Sequence, residues 1–199
     1  KTTTIKSILS LLRFEKGSVD FFSGALKDPK SEIGYLPERP YFYEYLTGME
    51  FLLFYGQLSM TDSKAQIKEK AKVLLKRVGL EHAENTFLRS YSKGMLQRIG
   101  LAQALIHKPK FLILDEPMSG LYPDGRYQVT QIIQEVAAGG ATIFFSSHLL
   151  TDVERLCDRL VIIDYGKIIY EGLQKNFLSA GQGGYEITYT PASSSVVST

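Results

Sequence analysis

Apolar residues recur along the chain with two spacings, one typical of helices and the other of buried strands. Side chains three or four positions apart predict amphipathic helices over residues 1–14, 63–78, 92–107, 129–136 and 149–156. Continuous apolar runs, FLILD (111–115) and ATIFF (141–145), are typical of strands in a parallel sheet. Further strands are predicted at 31–36, as a short pair within 15–24, and as LVIID and KIIYEG joined through Tyr165-Gly166.

The alternation of strands with helices predicts an α/β domain with a largely parallel sheet flanked by helices. We expect this domain to occupy residues 1–180. The last segment, 181–199, contains GQGG and PASSSVVST, a low-complexity composition that predicts partial disorder.

The composition of the 199 residues narrows the class of protein. Hydrophobic residues make up 44% and charged residues 22%, which is ordinary for a globular protein and excludes collagen-like and coiled-coil chains. The net charge of +2 gives no basic excess for coating DNA or RNA, so we expect no nucleic-acid partner. Cys157 is the sole cysteine, which favours a reducing cytoplasmic compartment, and no run of about 18 apolar residues predicts a membrane span.

Two adjacent carboxylates, Asp115 and Glu116, follow the strand FLILD. The carboxyl ends of parallel strands are where open α/β sheets bind ligands. Paired carboxylates at such an edge need a cation or polar solvent, and Mg²⁺ with bound phosphates would meet that need. An ordinary strand end with two solvated acids explains the pair equally well.

Three other segments could contribute to the same site. Lys1, Thr2 and Thr3 open a helix in the manner of the end of a phosphate-binding loop, although a plain helix start would look the same. Ser92, with Gly94 beside it, stands at a predicted helix start, where amides and a hydroxyl could meet an anion or simply cap the helix. His148 follows a strand that we expect to neighbour FLILD, and a lone histidine is often only structural.

Taken together, these segments resemble the nucleotide-binding domain of ABC transporters over nearly the whole chain. The motifs occur in family order, namely KTTT (end of Walker A), GYLPERP (Q-loop), YSKGM followed by LQR (signature), FLILDEP (Walker B), SGLYPDG (D-loop) and SSH (H-loop). The resemblance implies a P-loop NTPase of ABC type with a helical subdomain at about residues 40–108. The LPE-type Q-loop is most similar to ATPase subunits of bacterial exporters with separate permease chains.

The resemblance implies a site for ATP and Mg²⁺. Lys1 would bind the β and γ phosphates, and Thr3 the α phosphate. The implied ligands of the metal are Thr2, Asp115 and Glu38. Glu116 would polarise the attacking water and His148 would contact the γ phosphate, which makes these two the catalytic residues.

The same resemblance implies two protein partners. Ser92 and Gly94 would bind the γ phosphate of a nucleotide held by a second ABC ATPase domain, in a head-to-tail pair. A transmembrane permease would dock on the helical subdomain, which places the protein at the cytoplasmic face of the membrane. The aromatic stretch 41–58 could form that docking surface or belong to the core.

The sequence departs from the family pattern in several places. It opens with Lys1 and without the glycine-rich half of Walker A, so we expect a chain truncated within that motif and lacking the first strands. We expect such a chain to bind and hydrolyse ATP poorly. Tyr122 stands where the D-loop usually carries Asp, and Glu38 where the Q-loop usually carries Gln.

Two alternative functions stay open at this point. A soluble ABC-type ATPase of DNA repair or translation is disfavoured by the absence of a long coiled-coil insertion and by the near-neutral charge. A degenerate module that docks without hydrolysing ATP is favoured by Tyr122 and the expected truncation, and disfavoured by the presence of Asp115, Glu116 and His148.

Overall fold

The computed structural model describes residues 1–24 and 29–180, without the side chains of 178–180. The segment 181–199, for which we predict disorder, lies outside these residues. The described part divides into one unit ending at Leu156 and a second beginning at Cys157. The helices of the first unit are α1 (Thr2–Ile8), α2 (Gly48–Ser59), α3 (Lys64–Arg77), α4 (Lys93–Leu105), α5 (Pro123–Ala138) and α6 (Leu150–Leu156).

The first unit is built on a parallel sheet of three strands, β1 (Ile33–Leu36), β2 (Phe111–Asp115) and β3 (Thr142–Ser146), in the order β1-β2-β3. The central strand β2 pairs Leu114 with Leu36 on one side and Asp115 with Ser146 on the other. Residues 112–115 are fully buried, as predicted for a strand covered on both faces. Because all three strands run the same way, their carboxyl ends meet at one edge.

Two apolar clusters cover the faces of this sheet. The larger cluster joins the sheet to α2, α3, α4 and α5, and the smaller one packs Ile5 and Leu9 of the opening segment against Ile33 and Ile113. Successive residues of a strand point to opposite faces, so Ile33 faces α1 whereas Leu36 contributes to the larger cluster. The first turn of α1 therefore packs directly against the sheet.

The helices α2, α3 and α4 lie between β1 and β2, and each begins at a residue whose side chain caps it. Thr47 and Glu50 form reciprocal bonds at the start of α2, and Ser63 and Gln66 do the same at the start of α3. Ser92 accepts from the Met95 amide at the start of α4. The predicted apolar faces of α3 and α4 are buried, and their assignment to a separate subdomain stays a prediction.

Two local predictions are wrong. The opening helix ends at Ile8 instead of Phe14, because Ser10 adopts a left-handed conformation (φ 58°) that a helix cannot continue through. The strand pair predicted within 15–24 is absent from those described residues. Phe22 and Ser23 also have positive φ there, and residues 15–20 are exposed, so no buried face stabilises an extended pair.

The second unit contains the antiparallel hairpin of β4 (Arg159–Asp164) and β5 (Lys167–Leu173), followed by α7 (Gln174–Ala180). Tyr165 and Gly166 form the turn with φ of 43° and 78°, the left-handed pair that two-residue hairpins favour. The hairpin predicted from LVIID and KIIYEG is therefore confirmed. Among the helices of the described residues, none has both the length and the apolar character that a bilayer crossing requires.

Gly34 provides a test of the packing between β1 and α4. A methyl group on Gly34 would collide with the backbone carbonyl oxygen of Ala104 and lie 2.9 Å from Leu112. We expect Gly34→Ala to lower the free energy of unfolding by about 2 kcal/mol, measured by urea denaturation. Gly125→Ala is the control, because Gly125 lies in α5 with its nearest neighbour 3.6 Å from the added methyl. Equal stability losses in the two variants would contradict this packing.

Candidate functional site

A cavity of about 390 Å³ lies where the carboxyl ends of the sheet strands meet the start of α1. Its walls are formed by Lys1, Thr2, Thr3, Glu38, Glu116, Ser119 and His148. Six of these seven are candidates from the sequence, and the chain brings them together from four separate segments. The shared edge of a parallel sheet is the reason, since Glu38, Glu116 and His148 each follow one of its strands.

Glu116 is the centre of this cavity. Lys1 donates from Nζ to Glu116 Oε1 at 2.6 Å, and His148 Nδ1 lies 2.8 Å from Oε2. Burial raises the pKa of Glu116, but the hydrogen bonds and charges of Lys1 and His148 outweigh it and hold the pKa below its usual value. The carboxylate is therefore ionised at neutral pH and bound to two groups on opposite oxygens.

Asp115 occupies a different environment although it is the adjacent residue. It is fully buried, and Ser146 donates from Oγ to its Oδ1 at 2.6 Å. Its other oxygen, Oδ2, is buried and has no hydrogen-bond partner. A buried carboxylate oxygen without a partner is costly, and a cation or its bound water would satisfy it. Asp115 therefore fits a role beside a metal ion.

A polar network fixes the loop that carries His148. Arg126 of α5 donates from Nη2 to both oxygens of Asp152, at 3.1 Å each. Ser147 donates from Oγ to Asp152 Oδ2 at 3.0 Å. Since Ser147 immediately precedes His148, this bidentate ion pair restrains the imidazole, which is itself exposed on its outer side.

Ser92 and Gly94 lie outside this cavity. Both are at the start of α4, where the exposed Ser92 caps the helix and Gly94 lies close to Gly120 and Leu121 of the loop after Glu116. The chain on its own thus does not bring the signature residues to Lys1. Their assignment to a nucleotide held by a second domain stays a prediction.

Sequence reasoning missed Ser146 and Gln97 as supports of the site. Ser146 Oγ donates to Asp115 and accepts from the Glu116 amide at 3.0 Å, so one hydroxyl connects both acidic residues. Gln97 donates to the carbonyl oxygens of Glu116 and Pro117. The position of Ser146 in the SSH motif was the available signal for the first, and the LQR triplet for the second.

A second cavity of about 830 Å³ is formed by the aromatic segment after β1 together with α2, the turn before α4 and α4 itself. Tyr41 and Tyr45 are 85% and 77% exposed beside it. Phe42 instead packs on the buried Phe51, with ring centroids 5.4 Å apart. The aromatic stretch therefore supplies core on one side and an exposed surface on the other. We call the exposed part, formed by Tyr41, Tyr43, Tyr45, Phe54 and Arg89, the tyrosine groove.

Comparison with known proteins identifies the family to which this fold belongs. The family profile described as ABC transporter matches residues 1–119. A solved structure of the ATP-binding subunit of an ABC transporter superposes with a TM-score of 0.79 at 30% identity, covering 92% of this chain and 77% of that one. The α/β fold of ABC-type NTPases, predicted from the motifs, is confirmed by these matches.

Curated relatives give the same result. An ABC transporter ATP-binding protein of Nostoc sp. is 44% identical over 191 residues, which cover 94% of this chain and 56% of the relative. The bacitracin transport ATP-binding protein BcrA of Bacillus licheniformis is 39% identical over 86% of this chain and 56% of its own length. The linearmycin resistance ATP-binding protein LnrL of Bacillus subtilis is 33% identical over 90% of this chain and 58% of its own length.

The chain therefore belongs to the family of ABC transporter ATP-binding proteins. Members of this family are P-loop ATPases. The chain spans about half the length of the curated relatives it matches.

The ion pair between Lys1 and Glu116 makes stability depend on pH. Because the pKa of Glu116 is lower in the folded than in the unfolded protein, its ionised form stabilises the fold. This stabilisation is fully present above the unfolded-state pKa of about 4.5 and is lost as the pH falls through the folded-state pKa. We expect Glu116→Gln to lower the free energy of unfolding at pH 7 by about 1 kcal/mol, since Lys1 is partly exposed. The difference from the wild type should close below pH 4.5 in urea titrations.

Glu38→Gln is the control for this experiment, because Glu38 lines the same cavity and is exposed. We expect no comparable change in its pH profile. A Glu116→Gln difference that persists unchanged to pH 3 would contradict the ion pair.

Proposed function

We propose that the protein is the ATP-hydrolysing subunit of an ABC exporter and that it drives transport through a separate permease. The observation that carries this proposal is the convergence of Lys1, Glu116 and His148 on one cavity at the carboxyl edge of the sheet. The names of the relatives for bacitracin transport and linearmycin resistance support export.

The cavity suits Mg-ATP. Lys1 and Thr3 supply a cation and a hydroxyl for phosphate oxygens at the start of α1. Thr2, Asp115 and Glu38 would hold Mg²⁺, and the unpartnered Oδ2 of Asp115 is the oxygen whose burial requires such a group. The metal would neutralise charge on the phosphates. Within the described residues no cluster of three His, Cys, Asp or Glu could hold a metal, so phosphate and water would complete its ligands.

Hydrolysis follows from the placement of the two catalytic candidates. A phosphate at Lys1 competes with Glu116 for the ammonium group, which frees Oε1 of Glu116 to accept a hydrogen bond from water. His148 Nδ1 lies 2.8 Å from Oε2, and this residue would contact the γ phosphate on the same side. Positioning and electrostatic stabilisation provide most of the rate enhancement in such phosphoryl transfers.

The cavity is open to solvent, so a second surface is needed to cover the bound phosphates. The side chain of His148 is 65% exposed, so bulk water reaches the groups that would contact the γ phosphate. We propose that a second ABC domain covers the cavity in a head-to-tail pair and contributes its Ser92 and Gly94. Covering the phosphates excludes water and strengthens every charge interaction in the site.

The tyrosine groove is the proposed docking surface for the permease. Exposed rings beside an apolar groove are typical of protein interfaces, and Arg89 lies 5.9 Å from the ring centre of Tyr45 and 5.2 Å from that of Phe87. A helix from a cytoplasmic loop of the permease would lie in it. With the permease docked in this way, the protein would lie at the cytoplasmic face of the membrane.

Substitution of Glu116 tests hydrolysis in the whole protein. We expect Glu116→Gln to lower the kcat for Mg-ATP by about 100-fold or more while nucleotide binding is retained, because the amide cannot polarise water as the carboxylate does. Phosphate release and fluorescent-nucleotide binding measure the two quantities. Glu171→Gln in the hairpin is the control, with unchanged kcat. Unchanged turnover in Glu116→Gln would remove the catalytic role, and a wild type that binds but never hydrolyses ATP would indicate a docking module.

Substitution in the tyrosine groove tests docking. We expect the double variant Tyr41→Ser, Tyr45→Ser to lose co-purification with its permease from detergent while its melting temperature stays near that of the wild type, since both rings are largely exposed. Tyr165→Ser is the matched control, because that ring is 99% exposed on the hairpin. If both variants keep the permease equally well, the groove is not its docking surface.

A further inference from the structure

The backbone of Glu116 adopts a conformation that its sequence disfavours. Its φ is 52°, in the left-handed region. A residue other than glycine held there costs about 1–3 kcal/mol, and it persists only when its surroundings enforce it. The following Pro117 adds to this cost, because the residue before a proline prefers extended backbone.

Hydrogen bonds on both sides of Glu116 hold this conformation. On the amide side, Glu116 donates to Ser146 Oγ at 3.0 Å. On the carbonyl side, the Ser119 amide donates to the Glu116 oxygen at 3.0 Å within the turn. Gln97 adds the remaining contacts, since its Nε2 lies 3.3 Å from the Glu116 oxygen and 3.2 Å from the Pro117 oxygen.

Gln97 is suited to this task by its chemistry and its burial. It is 4% exposed and lies on α4, a helix of 13 residues whose packing fixes the position of the side chain. One amide group carries two N–H donors, so it can serve two neighbouring carbonyl oxygens at once. A glutamate or methionine of similar size offers no such pair.

We propose that Gln97 is a positioning residue for hydrolysis, which holds the Glu116 backbone in the left-handed conformation that directs its carboxylate to Lys1 and His148. The inference rests on the proposed function. Without the Gln97 donors, the 116–117 peptides relax toward extended backbone, and the carboxylate leaves the water-polarising position. A displacement of about 1 Å at a catalytic group can lower turnover by about 100-fold.

Kinetics of the whole protein test this role. We expect Gln97→Met to lower the kcat for Mg-ATP by about 100-fold with the KM changed by less than about 3-fold, because Lys1 and Thr2 still bind phosphate. Arg98→Met is the matched control. Its guanidinium also donates to backbone carbonyl oxygens, those of Val78, Gly79 and Gly94, none of which belongs to Glu116 or Pro117. It should lower the melting temperature and leave kcat largely intact.

Gln97→Glu separates positioning from a purely structural effect. At high pH, where the introduced carboxyl is ionised, it has no donor, so we expect turnover as low as in Gln97→Met. On acidification the carboxylic acid regains one O–H donor, and the ratio of Gln97→Glu to Gln97→Met activity should rise. A flat ratio, or an equal loss of kcat in Arg98→Met, would overturn the proposal.

A crystal structure of Gln97→Met gives a readout that needs no activity. We expect Glu116 to leave the left-handed region in this variant. If its φ remains near 50° with the carboxylate in place, the proposal is wrong, whether or not the protein hydrolyses ATP. Failure of the proposed function would instead appear as a wild type without ATPase activity.

Discussion

The architecture depends on how two adjacent carboxylates are accommodated at the end of a buried strand. Asp115 is removed from water completely, and Glu116 faces the cavity with its charge intact. Burying an unpaired carboxylate is expensive, so each needs its own partners. The protein gives Asp115 the hydroxyl of Ser146 and gives Glu116 the ammonium group of Lys1 and the imidazole of His148. These partners lie on two of the other segments that meet at the cavity, the start of α1 and the end of β3.

The left-handed backbone at Glu116 explains how neighbouring residues reach such different environments. Regular strand alternation would send the side chain after Asp115 to the opposite face of the sheet. The reversal of φ ends the strand instead and turns the chain into the loop that continues to Ser119. A strained residue at a candidate catalytic position indicates that its geometry is enforced by the surrounding structure.

Much of the fold was predictable because burial produces a clear pattern. FLILD, the apolar faces of α3 and α4, and the Tyr165-Gly166 hairpin follow from spacing and turn chemistry alone. Helix α2 was not predicted, because GMEFLLFYGQLS is apolar on nearly all sides and has no polar face to reveal its period. The early helix end and the missing strand pair depend on positive φ at Ser10, Phe22 and Ser23, and serine and phenylalanine give no sequence signal for that conformation.

The site was predictable to the extent that strand ends share an edge. Glu116 and His148 carry distinctive chemistry at such ends, and Lys1 does so at a helix start, whereas the supports of the site do not. Gln97 lies in the middle of a helix, and although the LQR triplet marks its position, its contact with the Glu116 carbonyl oxygen is visible only in the structure.

Tyr122 lies at a predicted contact between domains and changes how the start of α5 is stabilised. It is the N-cap residue of α5 and makes no side-chain cap, where an aspartate would accept from the exposed amides of the first turn. Pro123 at the next position removes one of those amides, and Asp124 supplies a negative charge in the first turn, so the helix start is stabilised by other means. The phenol ring is then 87% exposed beside the loop that carries Glu116. In the proposed domain pair, a large apolar ring at that place would contribute area instead of the charge that an aspartate would bring.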